Sequence, residues 1–221
     1  KPYLFLDDDE TYSVMIPDVR DDSQGASWTD GSSPGTAIST AEFYVAYPDL
    51  DDAASLNEAL AEGHNLLLTP GVYPLDETLE VTRPDTVVFG FGLPTLVPEH
   101  GAPALSVADV DGVKVAGLVF DAGPLPSPTL LEVGAPGSAG DHSANPTSLH
   151  DVFCRIGGGS VGTAESCVTI NSHDVIGDYF WLWRADHGAG DDGGRPGWGN
   201  LRCATGLIVN GDDVTVYGLM V

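Results

Sequence analysis

Apolar and polar positions alternate in short runs along most of this chain, and only one stretch shifts to a helical period. Tyr3 to Val19, YLFLDDDETYSVMIPDV, reads as two short strands around an acidic turn. Asp21 to Thr40 is rich in Gly, Ser and Pro and reads as a long loop, with Trp28 available to pin it to the body. EFYVAY, Glu42 to Tyr47, reads as a further strand. In DDAASLNEALAEG, Asp51 to Gly63, Leu56 and Leu60 lie four apart with Ala53 and Ala59 beside them, the spacing of one helix face. Asp51 or Asp52 can cap that helix and Gly63 can stop it.

Beyond the helix the pattern predicts strand and turn almost throughout. DTVVFGFG (Asp85 to Gly92), DGVKVAGLVFD (Asp111 to Asp121), HDVIGDYFWLW (His173 to Trp183) and DDVTVYGLMV (Asp212 to Val221) share an Asp-led turn, a short apolar strand, a Gly and a second apolar strand. Each unit is too small to bury its own apolar side, so stacking on its neighbours buries it. Glycines 117, 177 and 218 occupy corresponding places and leave room for two or three coils of roughly 20 residues between them. The expectation is an all-β fold: a right-handed parallel β-helix over 41–221, a short N-terminal helix capping its first coil, and a small N-terminal β segment over 1–40. A β-sandwich with many Gly and Asp turns is the alternative. An apolar strand ending at Val221 with no visible cap leads us to expect a C-terminally incomplete helix.

Charge narrows the function. Among 221 residues, 33 Asp plus Glu oppose 8 Lys plus Arg, a formal net charge of -25. That field repels nucleic acid and anionic membranes, and it makes a polyanionic substrate such as a polyuronate unattractive. Lysine is confined to Lys1 and Lys114, a balance that suits either a saline habitat or an ordinary acidic secreted protein. No 18-residue apolar run occurs and Lys1 reads as lying inside mature protein, so a secreted or extracellular location is expected. Cys154, Cys167 and Cys203 match no zinc spacing, leaving one disulfide plus a thiol, or three buried thiols.

Carboxylates and aromatics are the candidate chemistry. Glycosidic hydrolysis uses one carboxylic acid to protonate the leaving oxygen and one carboxylate to activate water or attack carbon. In YFWLW, Tyr179, Trp181 and Trp183 alternate against Phe180 and Leu182, so one set faces the interior and the other can stack on sugar rings or under a loop holding Trp198. The same carboxylates can supply a structural calcium site, although LDDDE, GAGDDGG and NGDD lack the EF-hand spacing. His142, His150, His173 and His187 are too scattered to specify zinc, and DHSANP, Asp141 to Pro146, reads as a polar turn. No organic cofactor is implied.

NLLLTPGVYPLDETLEVTRPDTVVFGFGLPTLVP, Asn65 to Pro98, resembles the opening coils of the pectate-lyase-like β-helix superfamily. EFYVAYPDLDDAASLNEALAEG, VADVDGVKVAGLVFDAG, DHSANPTSLHDVF, WLWRADHGAG and GLIVNGDDVTVYG resemble secreted bacterial glucanase-related members, the nearest named group being mycodextranase and α-1,3-glucanase. That resemblance implies aspartates on neighbouring coils, one Asp followed over twenty residues later by an adjacent Asp pair. Asp186 with Asp212 and Asp213 matches best, with His187 positioning and Trp181, Trp183, Trp198 and Arg184 touching substrate. As plain turn carboxylates, the same three aspartates need no chemistry. The functional expectation is an extracellular hydrolase, or its N-terminal portion, acting on a neutral glucan, with a 1,3-linked glucan as the candidate substrate. The alternative is a noncatalytic carbohydrate-binding or surface-adhesion protein. No oligomeric state is implied.

Overall fold

A computed structural model describes residues 1–8, 10–20, 34–159, 161–186 and 201–221. Trp28, His187, Asp191, Asp192 and Trp198 lie outside the described residues. The chain divides into two compact units, Lys1–Phe43 and Tyr44–Val221.

In the first unit, β1 (Tyr3–Leu6), β2 (Tyr12–Pro17) and β3 (Gly35–Ser39) form an antiparallel sheet in that order. Asp7 closes the β1–β2 turn by accepting hydrogen bonds from the backbone N–H of Thr11 at 2.9 Å and from its hydroxyl. The β3 strand falls where sequence reading places a loop. Its Thr36 and Ile38 are β-branched and pair with Ile16 and Val14, so a partner strand overrides the loop-like composition upstream.

The second unit continues with β4 (Phe43–Ala46), α1 (Ala53–Ala61), β5 (Asn65–Leu68), β6 (Val72–Leu75), β7 (Leu79–Val81), β8 (Val87–Gly90), β9 (Thr95–Pro98) and β10 (Leu105–Val107). It ends with β11 (Lys114–Asp121), β12 (Ser127–Val133), β13 (Thr147–Ile156), β14 (Ala164–Ile170), β15 (Val175–Arg184), β16 (Cys203–Val209) and β17 (Thr215–Met220). Asp52 caps α1 in a reciprocal capping box with Ser55, Leu56 and Leu60 turn inward, and the helix packs against β5 and β7. The strands form two sheets, ordered β17-β15-β13-β11-β8-β5-β4 and β16-β14-β12-β10-β7, and the pairs from β5 onward are parallel.

Because the chain visits these sheets in alternation, equivalent side chains stack in columns. Leu66, Val88, Val115, Leu149, Gly177 and Val216 form one; Tyr73, Leu96, Phe120, Cys154 and Leu182 a second; Leu79, Leu105, Leu131, Val168 and Leu207 a third. These columns make the core, each buried Leu or Phe contributing on the order of 2 kcal/mol of burial. Cys154, Cys167 and Cys203 are free thiols. The Cys167 and Cys203 sulfurs are 3.7 Å apart, and thiol contacts with burial push both pKa values up.

Two corner columns explain the Asp and Gly rhythm. Asp85, Gly112, Asp174 and Asp213 each stand two residues before the aligned positions Val87, Lys114, Ile176 and Thr215, all with φ between 54° and 71°. Their backbones tie neighbouring coils: the N–H groups of Asp85, Gly112 and Asp174 donate to the carbonyls of Asp111, Asn145 and Asp212 at 3.0, 2.8 and 3.1 Å. A Cβ at Gly112 would meet Asp85 Oδ1 at 2.2 Å, so a larger residue there must displace that side chain. The second column runs Gly117, Asp151, Tyr179 and Gly218, where β11, β13, β15 and β17 bend without breaking; φ is 72°, 50°, 64° and 68°. Gly117 and Gly218 are thus equivalent to one another. Gly177 is not; it sits in the core column, facing Val216.

Candidate functional site

Beyond the bend, the outward side of β11, β13 and β15 carries a dense aromatic group. Val119, Phe153 and Trp181 are aligned, as are Asp121, Arg155 and Trp183. Phe180 and Leu182 point into the core at 0% and 3% exposure, which leaves Trp181 and Trp183 on the outer side. Their rings stack at 5.6 Å and 14°, while Phe153 meets Trp181 at 6.3 Å and Tyr179 at 6.0 Å, both edge to face. Trp181 is 39% and Tyr179 49% exposed.

Polar groups flank these rings. Arg155 donates from Nε and a terminal nitrogen to the two oxygens of Asp121, both at 2.6 Å, and this pairing holds the guanidinium pKa up. On the near side of the bend, His150, Asp178 and Tyr217 are aligned, with His150 Nδ1 at 3.7 Å from Asp178 Oδ2. Burial and the Asp178 charge raise the Tyr217 phenol pKa. The result is a neutral stacking surface rimmed by hydrogen-bonding groups. Such a surface suits a ring with apolar faces and polar edges.

Of the residues singled out from sequence, Trp181, Trp183 and Arg184 come together, lining one depression with Cys203 and Met220. Arg184 Nε donates to the Leu201 carbonyl at 2.6 Å. The structure does not bring Asp186 together with Asp212 and Asp213. Asp213 belongs to the corner beside Asp174, at the start of β15, and Asp186 lies two residues beyond the end of that strand. At about 3.3 Å per residue, each five-residue arm of the bent strand is roughly 17 Å long. The Asp212 N–H donates to His173 Nδ1 at 2.8 Å, and its side chain is 89% exposed. His187 and Trp198 lie outside the described residues.

His142, read from sequence as part of a polar turn and as one of four scattered histidines, is a buried side chain held by two carboxylates. Its Nδ1 lies 2.6 Å from Asp111 Oδ1 and its Nε2 2.9 Å from Asp109 Oδ1, with the side chain 7% exposed. Asp109 also accepts from Ser172 Oγ at 2.7 Å and the Gly140 N–H at 3.0 Å, while Asp174 accepts the His142 N–H at 2.9 Å. Burial works against charge here and is outweighed. Hydrogen bonds from Ser172, His142 and Gly140 bring Asp109 down to about 2, and those to Asp111 and Asp109 raise His142. The site knits three successive coils. The signal in sequence is the Asp-x-Asp of VADVDG opposite an isolated His, invisible until the coils are aligned. Among the described residues, no group of three or more His, Cys, Asp or Glu side chains is placed to hold a metal ion.

Parallel sheets stacked by an Asp–Gly turn repeat, with an aromatic outer face, define the class. The chain belongs to the LAM55 pectate lyase-like domain family, which it matches over residues 43–221. Among individual proteins it is 48% identical over all 221 residues to an exo-beta-1,3-glucanase of Streptomyces sp. (strain SirexAA-E / ActE), of which it spans 35%. It is also similar to the solved structure of sacteLam55A from Streptomyces sp. SirexAA-E, with a TM-score of 0.91 and 48% identity over 97% of this chain and 38% of that one. A variant of sacteLam55A in complex with glucose matches with a TM-score of 0.90. The chain therefore spans about a third of the length of these relatives.

Proposed function

We propose that this chain is the N-terminal, right-handed parallel β-helix portion of an extracellular hydrolase acting on a neutral β-1,3-linked glucan. The observation that carries this reading is 48% identity along the whole chain to an exo-beta-1,3-glucanase. The name of the exo-beta-1,3-glucanase relative favours the β-1,3 linkage over the α-1,3 linkage of the group that the sequence resembles. A net charge of -25 also favours a neutral polymer over a polyanion.

The outward rings of Trp181, Trp183, Phe153 and Tyr179 are the glucan-contacting surface in this reading. Tryptophan and tyrosine rings cover the apolar faces of a pyranose, and Asp178, His150 and Arg155 lie where hydroxyls emerge. The separation of Asp186 from Asp212 and Asp213 supports a glucan-holding role for this face over paired proton transfer by those three aspartates. A noncatalytic carbohydrate-binding role for this segment is the second reading, and that same separation favours it. Titrating the chain with neutral β-1,3-, α-1,3- and β-1,4-gluco-oligosaccharides, with product sizing, tests both. Preferential β-1,3 binding is expected. Binding without that preference, or none, refutes the proposal, and cleavage of any of these sugars by the chain itself overturns the second reading.

A further inference from the structure

The geometry points to Tyr179 as a positioning residue for a neutral sugar ring, its side chain held over the aromatic face by a backbone conformation that tyrosine disfavours. This rests on the glucan-binding reading above. The bend column contains Gly117, Asp151, Tyr179 and Gly218, all with positive φ. Glycine enters the left-handed region without a steric penalty, and aspartate is several-fold enriched there. A bulky aromatic residue at φ 64° is an outlier. Two of four equivalent positions show the residue this geometry prefers, and Tyr179 departs from it.

Packing does not account for the departure. A ring retained to fill the interior would be buried, yet Tyr179 is 49% exposed and touches Phe153 only edge to face, at 6.0 Å. The left-handed backbone has a geometric effect. It lets β15 bend between Asp178 and Phe180 while the Tyr179 side chain leaves from the outer edge of the bend, beside the outward-facing Trp181. Tyr179 and Trp181 both meet the Phe153 ring, each edge to face. One hexose ring set against Trp181 would therefore have Tyr179 as its end wall and Asp178 at its rim. That arrangement fixes where a glucan residue sits along β15.

The test uses the whole chain, laminaritetraose as the probe, and the variants Tyr179→Gly, Tyr179→Asn, Tyr179→Phe and Trp181→Ala. Tyr179→Gly and Tyr179→Asn both suit the left-handed backbone, so their melting temperatures should stay within about 2 °C of wild type or rise. Their affinity should fall about 5- to 10-fold, with Tyr179→Phe within about 2-fold of wild type. Wild-type binding that is weakened by Trp181→Ala and unaffected by Tyr179→Gly and Tyr179→Asn overturns this inference alone. A wild-type chain that binds no laminaritetraose overturns the glucan reading and this inference with it. Melting temperature and affinity lost together in both Tyr179→Gly and Tyr179→Asn would make the ring a packing element, which also overturns it.

Discussion

Replacing His142 with Gln removes the cation on which two carboxylates converge. Carboxylate oxygens only accept, so a ring facing Asp109 at one nitrogen and Asp111 at the other carries both protons. The Asp109 contact is well buried and is worth about 2–3 kcal/mol as a charge-assisted hydrogen bond. The Asp111 carboxylate is 54% exposed, so solvent screening reduces its contact to about 0.5–1 kcal/mol. The loss is about 3 kcal/mol, and at roughly 2–4 °C per kcal/mol the melting temperature should fall by about 6–12 °C at pH 6.

The pH dependence has a definite sign. The folded His142 pKa lies above the unfolded value of about 6.5, so its contribution is complete below that pH and disappears as pH rises through the folded value. Asp109, near 2 when folded against about 3.9 unfolded, contributes above about pH 4 and loses that contribution as pH falls toward 2. The imidazole meets Asp109 and Asp111, which favour its charged form; Asp141 lies within reach of its charge, and Asp174 binds the His142 backbone N–H. Calorimetric scans of wild type and His142→Gln at constant ionic strength should therefore differ most between about pH 4 and 6.5 and converge at alkaline pH. A difference below about 2 °C at pH 6, or the same difference at pH 6 and pH 10, would refute the argument.

Asp213→Asn should leave the melting temperature unchanged, since asparagine tolerates φ 54° and Asp213 serves a turn; a fall of more than about 3 °C would give its carboxylate a larger part than the turn. Gly112→Ala should cost about 2 kcal/mol in denaturant unfolding, because its Cβ would strike the Asn145 to Asp85 hydrogen bond at a left-handed φ; unchanged stability would contradict that crowding. Leu118→Ala, at 0% exposure in the core, should cost about 3 kcal/mol by the same measurement, and a loss under 1 kcal/mol would mean the columns are loosely packed. A salt series bears on the acidity: thermal stability that rises from low to molar salt supports a saline habitat, and stability indifferent to salt speaks against one.

The helix was legible because everything that makes it is local: Asp52 caps, Leu56 and Leu60 bury, and the chain stops near Gly63. Strand alternation in YFWLW likewise separated Phe180 and Leu182 from Trp181 and Trp183 correctly. Relations between coils were harder to read. Matching Gly177 to Gly117 and Gly218 fails because a bend position accepts any residue that tolerates positive φ, and at that point in β15 the residue is Tyr179. Pairing Asp186 with Asp212 and Asp213 by sequence separation fails for a related reason. Separation counts residues along a coil, whereas proximity depends on which corner each residue occupies. The His142 cluster escaped notice because its partners lie on three turns whose alignment comes only from register.

The core columns also carry a lesson about change over generations. Leu66, Val88, Val115, Leu149, Gly177 and Val216 remain in register although the stretches of chain between them differ greatly in length. Among the described residues, surplus chain leaves between strands, as in 134–146 before β13, and lengthening a loop costs only about 0.6 kcal/mol per doubling. The stack behaves like a shelf with fixed brackets, on which surface loops can be lengthened or exchanged one at a time while neighbouring shelves stay level. New binding edges can thus be tried next to Trp181 and Tyr179 without renegotiating the interior.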